Sequence, residues 1–112
     1  MPRFVTIGYG DREGYDRTAP QVRDEAHAHD RRLQDGGVTP MVGVAGPPVQ
    51  VRNHEAVGVR TTDGPYLRSA LPVAGFAIVE ASDLDEAVRL VSGTPCAVAH
   101  GVVEVWPLIE AD

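Results

Sequence analysis

The sequence predicts an α+β fold in which one antiparallel sheet carries two helices on one face. Three observations predict it. Only two segments space their apolar residues as a helix does, several others are β-prone, and their order is strand, helix, a strand-rich middle, strand, helix, strand. A chain of 112 residues also lies in the size range of one domain, so residues 1–112 are expected to share a single hydrophobic core.

Phe4-Val5-Thr6-Ile7 is a short β-prone run ending at Gly8 and Gly10, a first strand that enters a loop. Residues 11–17 are charged and read as exposed loop. Thr18 can cap the first helix, Pro20 suits its first turn, and Gln21 stands where a capping box needs it. Val22, Ala26, His29 and Leu33 then recur at steps of four, three and four on one face, and Gly36-Gly37 closes the helix. Residues 38–44 return as a strand, broken by Gly46-Pro47-Pro48.

Val49-Gln50-Val51-Arg52 and Val57-Gly58-Val59-Arg60 alternate apolar with polar or small residues, as two arms of an antiparallel hairpin around Asn53-His54-Glu55 would. Residues 61–65 are a turn by chemistry, since Gly64 permits positive φ and Pro65 interrupts pairing. Gly75-Phe76-Ala77-Ile78-Val79 is almost continuously apolar and suits a central strand. Ser82, with Asp85 three residues on, marks the start of the second helix, whose expected buried stripe is Leu84, Ala87, Val88 and Val91. Gly93 and Pro95 close it, and residues 102–106 form the last strand before Pro107. The economical assembly is a ferredoxin-like sandwich. Its second sheet face needs a cover, and a second copy of the chain is the simplest one, so a homodimer is expected.

The 16 acidic residues outnumber the 10 basic ones, for a formal charge of -6, which argues against nucleic acid or an anionic membrane as partner. The longest apolar stretch, residues 73–79, is too short to cross a bilayer, and Met1-Pro2-Arg3 lacks the apolar core of a signal peptide, so a cytoplasmic location is expected. Cys96 is the only cysteine, which rules out an internal disulfide and a cysteine-built zinc site. His27 and His29, two apart on a helix, do not face a common metal, and no metal or cofactor is expected. The glycines at 8, 10 and 14 resemble a dinucleotide loop only superficially, because the third comes one residue late and no parallel βαβ series follows.

An ordered set of motifs spans nearly the whole chain: Thr62-Asp63-Gly64-Pro65-Tyr66, Gly75-Phe76 opening a strand, Asp83-Leu84-Asp85-Glu86-Ala87 opening a helix, and Gly101-Val102-Val103-Glu104-Val105-Trp106-Pro107 at the end. In these residues the chain resembles the YCII-related family, in the branch named after its Asp-Gly-Pro-Phe motif. The resemblance implies a ferredoxin-like fold of the dimeric α+β barrel type, a homodimer, and a pocket near the dimer interface where a histidine and an aspartate form an acid/base pair. It also implies small organic molecules as ligands, and a gene neighbourhood that often includes alternative sigma factors. The chain departs from the family where the usual first-helix histidine falls on Ala26, in Leu67-Arg68-Ser69-Ala70-Leu71 after the motif, and at Trp106, where arginine is usual.

The site expected on this footing has His29, one turn after Ala26, as general base and Asp63 as the carboxylate that holds its imidazole. Arg68, whose guanidinium suits an anionic group, or Glu104 would contact the substrate. Each has a plainer reading beside it. His29 can be a packed core histidine, Asp63 a turn former, Arg68 a solvated loop residue, and Trp106, on the face of Glu104, interface packing. The alternative function is therefore a non-catalytic ligand-sensing or accessory protein linked to transcriptional regulation.

Overall fold

β1 (Arg3–Tyr9) opens the chain and lies between two later strands, β5 (Val73–Glu80) and β6 (Val102–Pro107), antiparallel to both. β2 (Met41–Val44) pairs with the other edge of β5, which makes a four-stranded antiparallel sheet in the order β2-β5-β1-β6. This computed structural model describes residues 1–109. Helices α1 (Arg12–Asp16) and α2 (Pro20–Asp35) connect β1 to β2, and α3 (Leu84–Val91) and α4 (Pro95–Val98) connect β5 to β6. The fold is thus mixed α+β, and its sheet order is compatible with the ferredoxin-like arrangement. Among the described residues no helix is long and apolar enough to cross a membrane.

The register decides which side chains meet. Phe4 stands opposite Val79 on one side and Pro107 on the other, and Thr6 opposite Ala77 and Val105, so these residues share one face of the pleat. That face is the inner one: Phe4, Ala81 and Ala87 form its buried centre, with Leu90 and Val105 packed against them, and Val79 is also buried. The alternate residues Val5, Ile7, Tyr9, Phe76, Ile78, Glu104 and Trp106 face away from the helices.

Local chemistry sets the helix ends. At the end of α2, Gly37 takes a positive φ of 76°, Val38 N donates to Leu33 O, and Gly37 N donates to Gln34 O, the two bonds of a Schellman motif. The expected Thr18 cap is not made. Thr18 Oγ1 donates instead to Gly14 O at 2.8 Å, because residues 12–16 form a short helix, capped by Asp11, where a loop was expected. Five residues are too few to show a period.

In α3 the cap moves by one residue. Asp83 Oδ1 accepts from Glu86 N, and Glu86 Oε1 accepts from Ser82 N, so Asp83 rather than Ser82 is the capping side chain. The buried stripe centres on Ala87, Leu90 and Val91, which leaves Leu84 and Val88 about half exposed.

The middle of the chain needs the largest correction. β3 (Val49–Arg52) and β4 (Arg60–Asp63) form a separate two-stranded sheet instead of joining the main one. Val49 pairs with Asp63 and Arg52 with Arg60, so the second arm begins at the last residue of the expected arm. The reason is a longer turn. Glu55 and Ala56 both take positive φ, Asn53 Oδ1 accepts from Gly58 N, and a 3-10 turn covers His54–Ala56, which takes Val57 and Val59 out of the ladder. The strand expected over residues 38–44 likewise shortens to Met41–Val44, because the amides of Val38 and Thr39 both donate to Leu33 O.

Phe4→Ala should cost about 3–5 kcal/mol in urea denaturation, as the loss of a buried aromatic ring does. Val57→Ser, at a site 86% exposed, should stay within about 0.5 kcal/mol of the parent protein.

Candidate functional site

A cleft of about 300 Å³ opens between α2 and the inner face of the sheet. α2 contributes Asp30 and Leu33, β1 contributes Thr6 and Gly8, and β5 contributes residues 74–77 and Val79. β2 forms one rim, and Thr94 and Cys96 at the start of α4 form the floor opposite. Gly8 belongs to this wall for a steric reason: a Cβ there would stand 2.9 Å from Cys96 Sγ. The glycine lets α4 close on the sheet and has no part in a dinucleotide loop.

Most of the lining is apolar, and most of its polar groups are already engaged. Thr94 Oγ1 donates to Val91 O at 2.6 Å, and Gln34 Nε2 donates to Asp30 Oδ2 at 3.1 Å. Thr39 is different. It is 5% exposed, and its Oγ1 is buried with no hydrogen-bond partner among the described residues. Burial pushes the Cys96 thiol pKa up, and the Asp30 carboxylate pushes it further, so the thiol stays protonated and is a weak nucleophile. Asp30 and Thr39 were not singled out from the sequence. Asp30 stands three residues before Leu33, which places both on one helix face, and that spacing was the available signal.

The residues expected from the sequence stand apart. His29 leaves α2 toward the end of α3, where its Nε2–H donates to Leu90 O at 2.7 Å and its ring packs on Gly93. A carbonyl oxygen only accepts, so this bond puts the proton of the neutral ring on Nε2. Ala26, where the family histidine falls, is buried. Asp63 ends β4 on the hairpin, exposed, and its carboxylate makes no hydrogen bond or ion pair among the described residues. Arg68 is exposed in the segment between β4 and β5. Within one chain no hydrogen bond joins His29 to Asp63.

The family model of the YCII-related domain matches residues 3–112. The chain belongs to the YCII-related family. No curated protein matches this YCII-related chain.

Glu104 lies on the outer face of the sheet, where Tyr9 Oη donates to its Oε1 at 2.5 Å. The two come together because Ile7 stands opposite Glu104 and Tyr9 opposite Val102, which makes Tyr9 and Glu104 diagonal neighbours on the same face. Trp106, 52% exposed, shares that face. Tyr9 is a residue the sequence reading missed, since its partner lies 95 positions away. A second cluster ties α1 to α2: the Tyr15 hydroxyl and His27 Nε2 are hydrogen-bonded at 3.0 Å, and the Arg23 guanidinium lies 4.7 Å from the centre of the Tyr15 ring. Among the described residues no three His, Cys, Asp or Glu side chains are grouped to hold a metal ion.

The hydrogen bond to Glu104, then burial, then the carboxylate charge raise the Tyr9 phenol pKa above its ordinary value of 10.0. A raised folded-state pKa contributes stability that is complete below the unfolded value and is lost as pH rises through the folded value. In Glu104→Gln the alkaline absorbance titration of Tyr9 should therefore move to lower pH, and high-pH stability should become less sensitive to Tyr9→Phe. An unmoved titration would show that Glu104 does not control the phenol.

Proposed function

We propose that this YCII-related protein is a homodimer that binds a small organic molecule in the cleft beneath α2, and that it serves as a ligand-sensing or accessory module rather than as an acid/base enzyme. The engagement of His29 carries this reading. Its ring ties α2 to the end of α3 through the bond to Leu90 O, and its expected partner Asp63 sits on a separate two-stranded sheet. A cleft with an apolar lining and a few fixed polar groups suits binding.

Two surfaces support the dimer, of α+β barrel type. The outer sheet face presents Phe76, 50% exposed, beside Ile78 and Trp106, a continuous apolar surface of the kind that marks an interface. The hairpin exposes Val49 and Val51, and an isolated two-stranded sheet is marginal in water without a cover.

The exposed carboxylate of Asp63, without a partner among the described residues, favours a second reading, acid/base chemistry shared across the dimer. In that arrangement His29 is the base, Asp63 of the partner subunit orients it, and Arg68 or Glu104 contacts the substrate. An NMR pH titration of the four histidines, in the parent and in Asp63→Asn, separates the readings. The binding module expects no histidine whose titration follows Asp63. A raised histidine pKa that falls in Asp63→Asn overturns it in favour of the enzyme. Sedimentation equilibrium should give twice the chain mass, shifted toward the monomer by Trp106→Asp; a monomer at every concentration would sink the dimer.

A further inference from the structure

The cleft beneath α2 has a sign. Asp30 is its one formally charged lining residue, and no lysine, arginine or histidine faces it among the described residues. Gln34 engages one oxygen of the Asp30 carboxylate and leaves the other open. The influence of Asp30 reaches across the cleft, since it adds to burial in keeping the Cys96 thiol protonated. Cys96 therefore brings no compensating or competing charge. The remaining surface is an apolar bed of Leu33, Val42, Val79 and Val91, and the hydroxyl of Thr39, buried and without a partner among the described residues, marks one further polar point on the wall.

We infer that the ligand of this cleft is a small hydrophobic amine, its ammonium group paired with Asp30 and its apolar body packed against Leu33, Val42 and Val79. The inference rests on the ligand-binding reading above and narrows it to one charge class. Charge decides between candidates of the same shape. An ammonium group gains a charge-assisted hydrogen bond to the carboxylate, an alcohol gains only an ordinary one, and a carboxylic acid places like charges together. The volume fits a single substituted ring, being at the lower end of the roughly 300–1,000 Å³ usual for ligand pockets. The exposed Arg68, which an acidic ligand would need, does not line the cleft.

The test uses three probes of one shape on the whole protein: benzylamine, benzyl alcohol and benzoate, followed by amide and methyl NMR shifts of Asp30, Leu33, Val79 and Cys96. Benzylamine should bind at least about tenfold more tightly than benzoate, the factor that one charge-assisted bond is worth. Asp30→Asn should collapse that ratio, with its amide spectrum confirming the fold. Benzoate or benzyl alcohol binding as tightly as benzylamine, with shifts in the cleft, overturns the amine assignment and leaves the binding reading standing. If none of the three moves these signals, both fall.

Discussion

The antiparallel pairing of β1 with β5 is the constraint on which the rest of the structure depends. It places Phe4 against Val79 and Thr6 against Ala77, and so assigns every second residue of both strands to the helix side. A slip of one residue would turn Phe4 and Val79 outward and bring Val5 and Ile78 under the helices. Gly75 guards this register at the next strand, since a Cβ there would come 2.5 Å from Gly43 O. With the register set, α2 and α3 have one apolar surface to cover, and the cleft forms where α2 and the short β2 edge leave that surface incompletely filled.

The two faces of the sheet then differ in chemistry. The inner face holds its polar groups close to their own chain: Thr94 bonds within its turn, and Asp30 bonds the next turn of its helix. The outer face carries Val5, Ile7, Phe76, Ile78 and Trp106, with Arg3 opposite Glu80 at one end, while Tyr9 and Glu104 satisfy each other across neighbouring strands. A carboxylate bonded by a phenol from its own sheet can go under a cover more easily than a bare one, because its hydrogen bond goes with it. The same logic applies to His29. Its bond to Leu90 O fastens two helices at the price of one free ring nitrogen, which suits a scaffold more than a proton shuttle.

Much of this was legible in the chain. The apolar run at 75–79 announced the central strand, the Gly36-Gly37 pair the end of α2, and Ala26 and Leu33 its buried side, because each is a local signal that tertiary packing reinforced. The errors fell where local signals were ambiguous. Val57-Gly58-Val59-Arg60 alternates like a strand, yet two positive-φ residues before it lengthen the turn and move pairing to Arg60–Asp63. Ser82 and Asp83 are both good caps, and in the structure it is the Asp83 carboxylate that accepts from Glu86 N. For the site, His29 and Asp63 were reasonable residue types, but a side chain's partner depends on the path of the whole chain. The bond from Tyr9 to Glu104 and the placing of Asp30 and Cys96 on one cleft have no trace in sequence spacing.

The sequence by itself determined the α+β class, the order of the sheet strands and the two longer helices, and the family, since period, turn chemistry and ordered motifs are properties of neighbouring residues. Only the tertiary structure decided that the hairpin leaves the main sheet, that His29 ties helices together, and that Asp30 gives the cleft its charge. Those outcomes depend on contacts between residues far apart in the chain, and such contacts exist only once the β1 and β5 register has brought the segments together.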